Sequence, residues 1–340
     1  PKPSSAASDV YKRQAEKVSG FGRKRDCLKV KKPGRHARAR TRTPFEHRIL
    51  GAGSAAASVR QAAGQRGWPL LAPGWTGALR ADHGHFASGN PAALVNFKPT
   101  KAPHAPSNRL LSACLAQVQP LYADLWLPGR GTLKPPKDAA QTQEFEACYA
   151  AMGWSEEALQ LERNGALLSP IAGHVSPRHV LAHLFGEADF PSPIRDDDLP
   201  HQTIWATGYG TLQGAPSLEP HLRRNLGQID LFDARDGSQV SMPVTYGGYL
   251  TPPFEGQVLA GSTYERDPDW DDPDLLKPRQ SATEEIVHKA LTAGFSLPSK
   301  AGVSYVAARA FGKDHRPIVG QTMDCLLYTS DAADEGLGVD

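Results

Sequence analysis

Two periods of hydrophobic and polar positions divide the chain. HRILGAGSAAASVRQAAGQRGW (47–68) reads as a short apolar strand, a glycine turn and an Ala-rich helix, and PLLA (69–72) as a second strand. SNRLLSACLAQVQPLYADLW (107–126) places apolar residues at helical spacing and opens on a Ser/Asn cap. DAAQTQEFEACYAAMGW predicts another helix, and SPRHVLAHLFG (176–186) a helix with Pro177 at its first position. HQTIWATG (201–208) predicts a strand ending in a tight turn. LGQIDLF (226–232), VTYGGYL (244–250) and GQVLAGSTYE (256–265) then shift to period two, as in antiparallel strands. SATEEIVHKALTAGF (281–295) predicts a capped helix, and VSYVAARAFG a following strand.

Composition supports a packed core: 40% of the 340 residues are hydrophobic and 22% charged. No apolar run reaches the length of a membrane span. The four cysteines have no paired spacing, which argues against a zinc knuckle or disulfide framework and fits a reducing cytoplasm. The twelve histidines show no ligand spacing, so no metal site is expected. Net charge is +2, yet residues 15–42 carry 11 Lys/Arg against 2 Asp/Glu. Such a block has an electrostatic partner or is a solvated linker. Residues 33–44 lack apolar periodicity and read as that linker.

Gly51, Gly53 and Ala56 fit G-x-G-x-x-G/A between strand and helix. The first glycine permits the turn, the second admits a pyrophosphate, and the small third residue lets helix and strand pack closely. The acid expected about 20 residues on is missing: none occurs between Val59 and Ala81, and Asp82 is the first.

The two ends have an unusual relation. Ser4–Gln14 and Cys325–Glu335 can be encoded by opposite strands of one DNA duplex, a string that resembles a transposase adapter used in sequencing libraries. Residues 1–14 and 325–340 are therefore expected to lie outside the fold, and the chain to be a fragment of a longer gene.

AEKVSGFGRKRDCL resembles the end of the methyltransferase domain of the bifunctional tRNA 5-methylaminomethyl-2-thiouridine biosynthesis (MnmC) family, with Gly20, Phe21, Gly22, Lys24, Arg25 and Leu28 matching. FASGNPAALV (86–95), AGHVSPRHVL, WATG, GGYLTP, AGSTYERD and RAFGKDHRPIVGQTMD are similar, in order, to segments of that family's flavin-dependent oxidase domain. The resemblance implies residues 15–32 as the methyltransferase tail, 33–44 as a basic linker and 45–324 as the oxidoreductase domain. Its fold would be α/β: a Rossmann-like FAD domain (about 45–105 and 170–225) interleaved with an antiparallel-sheet substrate domain (about 106–169 and 226–310). This is the D-amino-acid/glycine oxidase-like arrangement, here C-terminally truncated before the Gly-rich turn and helix that close the flavin site.

The resemblance further implies FAD as cofactor, held at Gly51, Gly53, Ala56, Ser88, Gly89, Asn90 and Gly208. It implies a wobble-uridine tRNA as partner in the cytoplasm. S-adenosylmethionine would serve only the missing domain, so no methyl transfer is expected of this chain. The implied reaction removes the carboxymethyl group of 5-carboxymethylaminomethyl-(2-thio)uridine, with Arg309 facing the carboxylate and Tyr249 as a neighbouring wall or donor. Two alternatives stay open: an FAD-dependent oxidase of small secondary amines or amino acids, and an inactive fragment that binds no cofactor. Several departures weigh on that choice. Only fourteen residues separate the Pro177 helix from His201, Asn225-Leu-Gly-Gln228 replaces Arg-Gly-Gln, and Gly312 replaces Thr.

Overall fold

The computed structural model describes residues 15–19, 26–30, 47–68, 70, 74–75, 87–186, 192–193, 202–214, 218–237, 239–266, 268–270, 272, 274–313, 318–321 and 326–329. Residues 1–45 form one compact unit, in which β1 (Ala15–Ser19) and β2 (Asp26–Val30) pair as an antiparallel hairpin. Residues 46–340 form the other. The proposed linker, 33–44, lies outside the described residues.

In the larger unit β3 (His47–Leu50) leads into α1 (Ser54–Gln65), β4 (Gly74–Trp75) and β5 (Ala93–Val95). Next come α2 (Pro106–Leu121), β6 (Thr132–Lys134), α3 (Ala139–Met152), β7 (Gln160–Leu161), β8 (Leu167–Ser169) and β9 (Gly173–Val175). Then follow α4 (Pro177–Phe185), β10 (Ser192–Pro193), β11 (Gln202–Trp205) and β12 (Leu222–Asp233). The chain continues through β13 (Val244–Thr245), β14 (Tyr249–Leu250), β15 (Gln257–Gly261), β16 (Glu265–Arg266) and α5 (Gln280–Thr292). It ends in β17 (Val303–Gly312), β18 (Ile318–Gln321) and β19 (Leu326–Thr329).

One sheet runs β10-β4-β3-β11-β19-β18, parallel except for the antiparallel pairing of β18 with β19. Ile49, Ala56, Ala57, Val180, Leu181 and Leu184 form its core, so small residues on α1 let that helix lie close to β3 and α4. The second sheet, β16-β12-β15-β14-β13-β6-β8-β7 with β17 also on β12, is antiparallel except for the parallel β13–β6 pair. Its two faces have separate cores. Phe232, Leu250, Val258 and Ala260 pack with Ile286 and Ala290 of α5, while Ile229, Leu231, Tyr249 and Leu259 pack with Ala92 and Leu94.

Three expectations need correction. Helix α2 starts at Pro106 with Ala105 as N-cap, so Ser107 and Asn108 lie in the first turn. Asn108 instead donates back to Thr100 Oγ1 and the Ala102 carbonyl. Helix α5 begins at Gln280 without a capping bond from Ser281 or from its N-cap Arg279. Its cap comes from β12: Gln228 Oε1 accepts from Arg279 N–H at 2.9 Å, and Gln228 Nε2 donates to Thr283 Oγ1 and Asp230 Oδ1. Third, 325–340 was expected outside the fold, yet Leu326–Thr329 pairs with both β11 and β18. The Leu-Leu-Tyr-Thr run has strand propensity and meets the edge of β11. Of the predicted strand 69–72, only Leu70 is described, bridging to His47.

His174 in β9 is fully buried, stands opposite Leu94 of β5, and meets the Phe254 ring edge-on at 6.2 Å. Neither ring nitrogen has a hydrogen-bond partner. Burial pulls its pKa from an ordinary 6.5 to about 4.

Two predictions follow from this core. Gln228→Ala orphans the groups it serves and lowers unfolding free energy by about 2–3 kcal/mol, read by urea denaturation. His174 stays neutral when folded, so the unfolded chain binds its proton first as pH falls. Its contribution is complete above about pH 6.5 and is lost progressively toward pH 4, on the order of 3 kcal/mol in total. His174→Phe should therefore lose less stability than the parent between pH 7 and pH 4.5, and equal losses would refute the assignment.

Candidate functional site

The glycine turn is built by close approach. Gly51 has φ +129°, and a Cβ there would lie 2.2 Å from the Ala206 carbonyl oxygen, so only glycine fits where β3 and β11 end side by side. Ala206 N–H donates to the Leu50 carbonyl at 2.8 Å, fixing that crossing. Gly208, φ +57°, opens the turn that follows. Gly53 is the extended N-cap of α1, and a Cβ there would approach Ser88 Oγ at 3.3 Å. Ala56 is fully buried against the sheet.

Ser88 ties the second predicted motif to the first. Its Oγ accepts from Ser54 N–H at 3.1 Å and donates to Ser54 Oγ at 3.2 Å. Gly89 offers its carbonyl to Arg178 Nε on α4 at 3.0 Å. The first backbone amide of α1 bonded to a helical carbonyl is Ala57, to Gly53. Ser54 N–H is taken by Ser88, and with no acid in the first turn the positive end of the helix is left to an anion.

Beyond that turn lies a small cavity. Ala87 and Asn90 form one side, and the sheet face bearing Gly227, Ile229, Ser262, Tyr305, Ala307 and Arg309 forms the other. The β12–β17 register explains the set, since Gly227 stands opposite Ala307 and Ile229 opposite Tyr305. Arg309 is 6% exposed and lies across Gly227, where a Cβ would come 2.5 Å from its Nη2. Asn90 is 4% exposed and its Oδ1 has no partner. Burial pushes the Tyr305 phenol up to about 12, against a smaller opposing pull from the Arg178 charge.

The predicted residues thus fall into four places. Gly51, Gly53, Ala56 and Gly208 surround the strand ends, Ser88 and Gly89 brace them, and Asn90 and Arg309 reach the cavity. Tyr249 is buried in the adjoining core with Leu94 and Ile229 and is not among the cavity-lining residues. Tyr305 holds the lining position instead. The sequence carried a signal for it, because Tyr305, Ala307 and Arg309 alternate along one strand and share a face. Asp82 lies outside the described residues. Among the described residues no group of three or more His, Cys, Asp or Glu could hold a metal ion, and no helix is long and apolar enough to cross a membrane.

No family model matches the chain. It is 26% identical over 379 residues to the tRNA 5-methylaminomethyl-2-thiouridine biosynthesis bifunctional protein MnmC of Magnetococcus marinus, an alignment covering 93% of this chain and 55% of that protein. The chain thus spans about half the length of the curated relative it matches. Among solved structures, glycine oxidase from Geobacillus kaustophilus superposes with a TM-score of 0.62 at 15% identity, covering 84% of this chain and 89% of the other. Iminodiacetate oxidase from Chelativorans sp. BNC1 gives 0.62 at 18% identity, covering 83% and 89%. L-proline dehydrogenase from P. horikoshii gives 0.60 at 12% identity, covering 86% and 89%. The resemblance read from the sequence stands, and the fold is the glycine oxidase-like α/β arrangement, built on the 6-stranded and 9-stranded sheets.

Proposed function

We propose that the chain is the oxidase part of an MnmC-like protein. It would oxidise the carboxymethylaminomethyl arm of a tRNA wobble uridine, leaving the aminomethyl base. The observation that carries this reading is the combination of an anion-ready helix terminus with a buried arginine in the adjoining cavity.

The residues present fit FAD. Gly51 and Gly53 form a cradle that side chains would fill, the α1 terminus offers amide donors without a competing acid, and Asn90 Oδ1 waits as a buried acceptor. The dinucleotide phosphates would rest on Gly51, Gly53 and the first turn of α1. Ser88 holds that turn, Ala56 lets α1 lie close to the sheet, and Gly208 leaves the approach open. Bound FAD supplies two-electron oxidation of the carbon beside the substrate amine. The product, a carbon–nitrogen double bond, adds water and splits into the primary amine and glyoxylate.

The protein's own contribution is position and desolvation. Arg309 would hold the carboxylate through its planar fork, and its burial strengthens that bond. Tyr305 remains a neutral donor at physiological pH. Ile229 and Ala307 supply the apolar part of the wall. Tyr249 packs beside Ile229 on the same sheet face.

The cavity is small, which favours a second reading as an oxidase of free secondary amines or amino acids. Turnover of undermodified tRNA compared with sarcosine and iminodiacetate separates the two.

Two outcomes are expected. The purified chain, soaked with FAD and desalted, retains flavin absorption bands, whereas Gly53→Val retains none, because its side chain would crowd Ser88 and the first turn of α1. A colourless parent would identify a chain that binds no cofactor. In the flavin-loaded protein, Arg309→Leu raises KM for the carboxylate-bearing substrate about a hundredfold while the flavin spectrum stays unchanged. An unchanged KM would remove Arg309 from substrate binding.

A further inference from the structure

Asn225 is the fourth of the 12 residues of β12, 2% exposed, and its Nδ2 has no acceptor. A buried donor left unpaired is costly, so a ligand that supplies the acceptor is favoured. Its surroundings are cationic. Arg266 of β16 stands directly opposite it on one side, and Arg309 of β17 on the other. Opposed residues of paired strands project to the same face. Arg223, two residues back along β12, shares that face and is exposed, as is Arg266. Three arginines therefore share the sheet face of one orphaned amide.

The face is continuous with the cavity, because Gly227 is the next residue of β12 on that side and Arg309 belongs to both. Glu265 projects to the other face with its partner Leu226 and pairs there with Arg279. Arg223 and Arg266 make no ion pair among the described residues. The half-buried ring of Tyr264 lies beside the row, 5.6 Å from the Arg266 guanidinium and 5.7 Å from that of Arg309.

We propose that Asn225, Arg223 and Arg266 form a phosphate-binding subsite at the mouth of the cavity, which holds a nucleotide phosphate while the reacting arm reaches Arg309. The number of donors favours this chemistry. Arg309 alone suits the two oxygens of a carboxylate, whereas two further guanidinium groups and an amide match the additional oxygens of a tetrahedral phosphate. This deepens the tRNA reading and rests on it only for the nucleotide's identity.

The test needs neither flavin nor turnover, so its failure is distinct from failure of the oxidase reading. Titration calorimetry of the full chain compares uridine monophosphate, uridine, inorganic phosphate and iminodiacetate. The monophosphate should bind about tenfold or more tighter than uridine, and the gain should shrink as salt rises. Arg266→Gln at the exposed end and Asn225→Leu at the buried centre should each abolish most of that gain. Asn225→Leu should also leave the melting temperature unchanged or raise it, since it removes an unpaired donor. Equal binding of uridine and its monophosphate would overturn the proposal. So would an affinity indifferent to Arg266→Gln, a variant independent of the buried position. Iminodiacetate binding as tightly as phosphate would assign the row to a carboxylate and refute it equally.

Discussion

The ten consecutive residue pairs between β12 and β17 are the constraint on which the site depends. A ladder of that length without a bulge fixes which side chains share a face, because a one-residue slip would move all of them to the other side. One face carries Gly227, Ile229, Tyr305, Ala307 and Arg309 to the cavity. The opposite face carries Gln228, Asp230 and Phe232 to α5. Register, not local chain flexibility, therefore sets the chemistry of the wall. The hydrogen bonds of Gln228 to Arg279 and Thr283 pin that register from behind.

The two sheets meet the site with different kinds of charge. The parallel sheet presents backbone amides and a helix terminus, a fixed dipole that costs no side-chain ordering. The antiparallel sheet presents guanidinium groups on side chains, one held inside at Arg309 and others at the rim. Between them, the turn of Ser88, Gly89 and Asn90 is bonded to α1 on one side and to α4 on the other. Its polar groups are thereby aimed without relying on loop order.

Much of this was legible in the sequence wherever the cause is local. Gly51 and Gly53 could be read because a tight turn admits few residues, and Pro177 because its ring suits a first helical turn. Period two located β12 and β15, VSYVAARAFG read as a strand after the α5 helix, and the alternation within it contains Tyr305 beside Arg309. The rest depended on partners far along the chain. The α5 cap comes from Gln228, fifty-one residues before Arg279, so no local capping pattern announces it. Tyr249 lies on a predicted strand, but only the packing of β14 on β15 decides that it faces the core. His174 looked like any other histidine until the Leu94 pairing closed over it. Leu326–Thr329, discounted on its codons, forms a strand because a sheet edge selects backbone hydrogen bonding and apolar character, whatever the origin of the segment.

The contact between Gly51 and Ala206 has a consequence for how the molecule comes into being. Residues 155 positions apart must meet before the glycine turn has a floor, since the Leu50 carbonyl finds its donor only at Ala206. Helix α1 can coil as soon as it leaves the ribosome, but the strand it should pack against has no parallel neighbour on that side until β11 has been synthesised. Such long-range closure is slow, and it leaves the apolar faces of β3 and α1 uncovered in the interim. Until β11 emerges the glycine turn lacks its floor, and the yield of folded protein should respond to chaperone supply.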